Sequence, residues 1–300
     1  MKATAPLLTE AIAVEKSWTA VFLDLIKARL TFLVVLTTLV GFYVGSTGPT
    51  NLPLMVHAVL GTALLASGAA ALNQLIEREH DAKMQRTRTR PLPSGRMQPS
   101  TVLVVGGTLS CAGLLYLAVA VNPLTTALGA ISLLSYLFIY TPLKRVTWLN
   151  TAVGTIPGAL PPLMGWTAAR GQLETGGWVL FAILVFWQLP HFLAIAWMYR
   201  DEYARAGFKM LPLVDPEGHR TGRLAVSHTL GLLPISLSPF VLNLTGPLYL
   251  AIALILGAGF LWVAIRFARR LTLARARLLF FVSILYLPLL LAVMVLDKMK

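Results

Sequence analysis

One cysteine, Cys111, occurs among 300 residues, and it lies inside an apolar run. A disulfide within the chain, a cysteine zinc site and haem attachment through paired cysteines are thereby excluded. Charge is scarce as well. Asp, Glu, Lys and Arg make up 12% of the residues, against about a quarter in a soluble domain. Acids are the scarcest, 12 against 25 Lys and Arg, for a net charge of +13. A basic balance can mark a nucleic-acid binder, but no soluble basic domain accompanies it here. The cations lie between apolar runs, where membrane topology accounts for them, and no nucleic acid is expected. Residues 1–28 carry Glu10, Glu15, Lys16, Asp24 and Lys27 without an apolar core, so no signal peptide is expected there.

What the chain has is apolar length. It is 57% hydrophobic, with a mean hydropathy of +0.74. A membrane crossing needs about 20 mostly apolar residues. Nine segments qualify: 29–47, 53–76, 101–121, 124–140, 149–168, 178–198, 224–243, 248–265 and 278–296. The expected fold is an all-α polytopic bundle of about nine transmembrane helices, a single domain over 1–300. Assigning the intervening segments alternately to two sides puts 22 of the Lys and Arg on one side. Only Arg170, Lys298 and Lys300 remain for the other. That split places the N-terminal segment 1–28 and the loops 77–100 and 199–223 in the cytoplasm, with the C-terminus outside.

Seven of the 12 acids sit in those two loops. Carboxylates are costly beside a bilayer, so their concentration there points to use. Asn73, Glu77 and Asp81 are spaced i, i+4, i+8. On a helix each step of four turns about 40° and rises about 6 Å, so the three share one face at the end of the second span. An amide oxygen and two carboxylates suit Mg²⁺, which completes its shell with water and substrate phosphate. Arg86 and Arg90 follow closely and can hold phosphate oxygens bidentately. Glu79 diverges from the stripe and is expected in solvent or against Arg78 or Lys83. Without Asn73 the same acids would read equally well as a salt-bridged helix end. An amide one turn inside an apolar segment needs a partner, and that favours a site.

The second loop brings Asp201 and Glu202, with Arg200, Arg205 and Lys209 around them. Adjacent helical residues diverge by about 100°, so one of the two acids is expected to face the first loop. Lys144 and Arg145 after the fourth span are either further phosphate ligands or topology signals alone. His191 lies in the sixth span within Trp187-Gln188-Leu189-Pro190-His191-Phe192. An intramembrane histidine is a ligand or proton carrier, or else a hydrogen-bonded core residue. His57, His80, His219 and His228 are assigned no role.

These strings resemble the UbiA superfamily of intramembrane prenyltransferases, and within it the haem-farnesylating branch. The resemblance spans nearly the whole chain. It runs through Asn73-x3-Glu77-x3-Asp81, Met84-x-Arg86-Thr87, Arg90-Pro91-Leu92-Pro93-Ser94-Gly95 and Tyr140-Thr141-x-x-Lys144-Arg145. It continues through the Trp187–Phe192 string, Tyr199-Arg200-x-x-Tyr203 and Met210-Leu211-Pro212. The first string is similar to the superfamily's diphosphate motif, whereas the Trp187–Phe192 and Tyr199–Tyr203 strings are similar to the haem branch. Tyr199 and Tyr203 stand where many members carry Asp, which argues against a full second Mg²⁺ site. Glu202 stands where the haem branch usually has an acid, and the resemblance places it before Asp201 as a catalytic acid.

The resemblance implies a cell (inner) membrane enzyme whose active site opens to the cytoplasm. Its implied substrates are farnesyl diphosphate, protohaem IX and water, and its products are haem O and diphosphate. Mg²⁺ would be the cofactor, held by Asn73, Glu77 and Asp81, with haem a substrate. Arg86, Arg90, Lys144, Arg145, Arg200 and Lys209 would bind diphosphate, and His191 and Tyr203 would bind haem. A downstream haem A synthase is the implied partner. Three other readings compete. A quinone-precursor prenyltransferase would share the first motif but not the Trp187–Phe192 string. A transporter would place binding residues near the midplane, yet the inferred span interiors carry no Asp or Glu. An assembly factor gives no reason for paired acidic and basic loops.

Overall fold

The computed structural model describes residues 17–299, so most of the segment 1–28, and Lys300, lie outside the described residues. The helices are α1 (Trp18–Leu25), α2 (Ala28–Gly45), α3 (Leu52–Asp81), α4 (Pro99–Ala120) and α5 (Pro123–Leu134). A π-helical turn, Ser135–Tyr140, joins α5 to α6 (Thr141–Val146). There follow α7 (Asn150–Arg170), α8 (Thr175–Met198), α9 (Arg200–Ala206), α10 (Leu211–Val214), α11 (His219–Val241), α12 (Pro247–Arg269) and α13 (Leu273–Leu296). Among the described residues there is no strand, only an isolated antiparallel bridge between Thr245 and Lys298.

The turns between crossings follow local chemistry. The Asn122 side chain accepts from Thr125 N–H and Pro123 occupies the first helical position, so the chain reverses and α5 begins at once. Asn51 does the same for α3 through Leu54 N–H. Large apolar side chains such as Val119, Phe138, Ile255 and Leu285 remain exposed on the bundle's outer face, as lipid requires.

Among the described residues eight helices are long and apolar enough to cross a membrane, with Pro123–Leu143 taken as one. The ninth expected crossing is α7. Of its 21 residues 15 are buried, and it carries Pro157, Pro161 and Pro162 within it. It packs against α2, α3, α5 and α8. A helix walled by other helices need not present apolar side chains to lipid, so α7 can lack the long apolar window of the other eight for a packing reason. Gly41 of α2 lies against the Pro162 carbonyl, and Gly165 of α7 against the Thr38 carbonyl, so closely that a Cβ has no room at either place. Small residues here let two backbones cross in contact.

Nine crossings in alternating direction leave the segments 82–98 and 199–218 at one end, with the start of α2 and the end of α6. This end holds the polar core.

Candidate active site

Helix α3 is 30 residues long, about 45 Å at 1.5 Å per residue, against about 30 Å of bilayer hydrocarbon. Its last turns therefore stand clear of the apolar slab, and they carry Asn73, Glu77 and Asp81, all buried. Each meets a cation from a different element. Lys27, between α1 and α2, donates from Nζ to Asn73 Oδ1 at 2.8 Å. Lys144 of α6 donates to Glu77 Oε1 at 2.7 Å, and Arg90, in the loop after α3, donates to Asp81 Oδ2 at 2.6 Å.

The π-helical turn aims α6 at this stripe. Thr141 donates its hydroxyl hydrogen to Tyr136 O at 2.8 Å, and its oxygen accepts from Asn73 Nδ2 at 3.0 Å. The Asn73 amide is thus satisfied on both sides. One turn on, Lys144 Nζ sits 4.5 Å from the Tyr140 ring centroid. Burial works against the Lys144 charge, but the Glu77 carboxylate outweighs it and holds the pKa above the ordinary lysine value. Lys27 goes the other way. Burial, and then the neighbouring Arg90 charge, bring it down to about 7 against the opposing pull of Glu77.

The second loop closes the site. Arg86 Nη2 donates to the Tyr203 hydroxyl at 2.6 Å, and its guanidinium lies 5.0 Å from the ring centroids of both Tyr199 and Tyr203. Arg86 N–H donates to Glu202 Oε2 at 3.3 Å. Asp201 is exposed, 3.7 Å from Arg200. Of the two acids it is Glu202 that turns to the first loop.

Lys27, Asn73, Glu77, Asp81, Arg86, Arg90, Tyr140, Lys144 and Tyr203, with Met84, Phe208 and Met210, line a cavity of about 90 Å³. Other expected residues are not brought there. Arg145 is exposed and donates to Ile76 O, and Arg200 stacks over Trp197 at 5.1 Å. Lys209 contributes its backbone, its N–H donating to Lys144 O at 2.6 Å, while its side chain is exposed. Tyr203, expected at haem, does line the cavity and faces Arg86 there. Glu79 pairs with Arg78 at 3.2 Å, outside the cavity. His80 stacks on Phe208 of the cavity wall.

His191 stands apart from this cavity, on the side of α8 that faces α13. Its ring is stacked between Trp187 and Phe280, each 5.1 Å away between centroids. Ser283 donates its hydroxyl hydrogen to Phe280 O at 2.6 Å, so its oxygen is the acceptor for His191 Nδ1, 2.7 Å away. That assigns the proton to Nδ1 and leaves the lone pair on Nε2. Trp187 Nε1 donates to Ser283 O at 2.7 Å and locks the same corner.

Among the described residues no three carboxylate, imidazole or thiolate side chains converge as a cage for a metal ion. What the cavity supplies is two carboxylates and an amide oxygen. This donor set fits an ion such as Mg²⁺, which keeps water and substrate phosphate in its shell. Lys27, Met84, Tyr140, Phe208 and Met210 are lining residues to which sequence reasoning gave no role. Lys27 directly precedes a span, where its charge reads as topology.

A membrane bundle that gathers two carboxylates, an amide and four cations at one end has the architecture of an intramembrane prenyltransferase. The chain belongs to the UbiA prenyltransferase family, whose model matches residues 34–285. It is 48% identical over 286 residues to the protoheme IX farnesyltransferase of Solibacter usitatus (strain Ellin6076), covering 92% of this chain and 98% of that one. The protein of the same name from Koribacter versatilis (strain Ellin345) is 44% identical over 305 residues, covering 97% and 98%. The mitochondrial one of Arabidopsis thaliana is 36% identical over 278 residues, covering 92% of this chain and 64% of that one. Among solved structures, a digeranylgeranylglyceryl phosphate synthase has a similar fold, with a TM-score of 0.79 at 15% identity over 93% of this chain and 98% of that one. A UbiA homolog from Archaeoglobus fulgidus bound to DMAPP and Mg²⁺ gives 0.69 at 15% identity, covering 91% and 99%. The last two likenesses are of fold alone.

Proposed function

We propose that this enzyme transfers the farnesyl group of farnesyl diphosphate to a vinyl group of protohaem IX, with addition of water, giving haem O and diphosphate. The observation that carries the reaction class is the cavity, where an oxygen stripe on α3 meets cations from three other segments. The acceptor follows from the name shared by relatives that match this chain over nearly its whole length.

Arg86, Arg90 and Lys144 hold the diphosphate oxygens. Mg²⁺, held by Asn73, Glu77 and Asp81, would neutralise the charge that builds on the leaving group. Glu202 fixes the Arg86 backbone, and Tyr203 steadies its guanidinium. The C1–O bond of the farnesyl group breaks with its electron pair leaving on diphosphate. Met84, Phe208 and Met210, all buried, keep water from the allylic cation. The terminal vinyl carbon of haem attacks C1, and the new cation beside the porphyrin is delocalised over the ring. Water adds there and releases a proton, which leaves a hydroxyethylfarnesyl group. His191 Nε2 is the nitrogen available to haem iron. Arg145, Arg200 and Lys209, exposed around the mouth, contribute field rather than contact and draw the anionic donor in.

The enzyme lies in the cell (inner) membrane as one domain over 1–300, with the cavity opening to the cytoplasm. Its product would pass to a haem A synthase downstream. Purified protein incubated with haem B, farnesyl diphosphate and Mg²⁺ should yield a pigment heavier by one farnesyl group and one hydroxyl, by mass spectrometry. With an aromatic quinone precursor added to the same mixture, its farnesylation in place of haem would overturn the acceptor. Full activity in EDTA would overturn the metal.

A further inference from the structure

We propose that Lys27 is a diphosphate-binding residue, carried into the cavity by a left-handed junction between α1 and α2. The inference rests on the diphosphate reading of the cavity. Lys27 has φ 48° and ψ 54°, one of two non-glycine residues with positive φ among those described. An L-residue adopts this conformation at some cost, so the surroundings must hold it there. They do so from both sides. Gln74 Nε2, buried one residue beyond Asn73, donates to Asp24 O at 2.9 Å and to Leu25 O at 2.8 Å. Thr31 of α2 donates its hydroxyl hydrogen to Ile26 O at 2.7 Å. The three carbonyls that precede Lys27 are thus clasped, two from α3 and one from α2, and its side chain is sent to α3.

The partner it finds there sets it apart from the other cavity cations. Lys144 and Arg90 are each matched by a carboxylate, whereas the hydrogen-bond partner of Lys27 is the neutral amide of Asn73. A protonated lysine offers three donors, and one neutral acceptor leaves two of them without a partner in direct contact. The same cavity holds Arg86, whose side chain bonds a phenol. Among the described residues, two of the four cations thus have no carboxylate in direct contact with their side chains, and a multiply charged phosphate ligand complements both. A lysine kept only for packing would not be aimed at the stripe.

The test measures binding of inorganic pyrophosphate with Mg²⁺ by calorimetry on purified protein, with haem B binding followed by its Soret band. Lys27→Met should weaken pyrophosphate by about 10-fold or more, the scale of a charged hydrogen bond, and leave haem binding intact. Lys27→Arg should restore most of the affinity. Lys27→Gln keeps a donor for Asn73 but no charge. It should lose affinity like Met, and wild-type affinity in Gln would overturn the proposal by reducing Lys27 to a hydrogen-bond partner. Combining Lys27→Met with Asn73→Ala should weaken binding beyond Asn73→Ala alone. An equal loss would mean that Lys27 acts only through Asn73, which also overturns it. Failure of the wild-type protein to bind pyrophosphate would count against the diphosphate reading itself.

Discussion

Glu77 and Asp81 each face a cation at hydrogen-bond distance, with Asn73 completing the stripe. Glu77→Gln and Asp81→Asn keep shape and hydrogen bonding but remove a charge that metal binding needs. Each should lower turnover by about 100-fold or more while the protein still inserts in the membrane. Turnover near the wild-type rate in both would sink the metal site. A second residue-scale prediction concerns Ser283, whose oxygen sets the tautomer of His191. Ser283→Ala should weaken haem B binding by about 10-fold, the usual effect of losing an outer-shell partner, and alter the Soret band. Pyrophosphate affinity should stay as it is, since His191 and Ser283 lie outside the cavity. An unchanged Soret band would leave His191 as a core histidine. The stripe was legible because four-residue spacing on a helix dictates a shared face. Lys27 was not, because its meaning depends on a left-handed turn that the pattern of apolar residues does not encode. Nor could nearness in sequence show that Arg145, Arg200 and Lys209 point outward while Arg86 points in.

At the scale of elements, the π-helical turn is the feature that no hydropathy pattern reveals. The fourth span reads as one continuous apolar helix, yet Ser135–Tyr140 adds a residue to a turn. Everything after it is rotated, and this rotation brings Thr141 to Asn73 and Lys144 to Glu77. Deleting Phe138, whose side chain faces outward, removes the residue that the turn adds, so ordinary α-helical pitch should return with Thr141 and Lys144 still in phase with α3 and with part of the turnover kept. Inserting one alanine beside Phe138 should instead swing the downstream residues by about 100° and abolish turnover while membrane insertion persists. Activity close to wild type in the insertion variant would show that the phase of this turn does not position Lys144. Helix α7 is the other element where sequence and structure needed reconciling. Its proline content and modest hydropathy make it a weak candidate by composition, and its place at the centre explains both. Placing a branched side chain there, as in Gly165→Val, should prevent α2 and α7 from closing and abolish accumulation of folded protein.

For the whole molecule, the number of crossings decides which face the site opens to, and charge is the evidence that bears on it. The split of 22 cations to 3 is sharper than the bare count suggests. At the sparse end, Arg170 is bound to Glu174 at 2.7 Å, and the resulting hydrogen bond lowers the Glu174 pKa despite opposing burial. Lys298 donates to Tyr43 O at 2.6 Å and Ser46 O at 2.7 Å. Both described cations at that end are thus engaged in holding helix ends together. At the cavity end, Arg220, Arg223 and the run from Arg266 to Arg277 crown α11, α12 and α13 without an acid in those segments. Lys and Arg resist transfer across a bilayer during insertion, and on that ground we propose that the crowded end stays in the cytoplasm. Cysteines placed at Ser94, in the loop after α3, and at Thr47, between α2 and α3, should therefore label from opposite sides in a Cys111→Ala background. Both positions are exposed, so access is limited by the membrane and not by packing. In sealed, right-side-out cells an impermeant thiol reagent should reach the cysteine at Thr47 and reach that at Ser94 only after lysis. Labelling of the cysteine at Ser94 in intact cells would invert the molecule and move the cavity to the outer face, away from cytoplasmic farnesyl diphosphate.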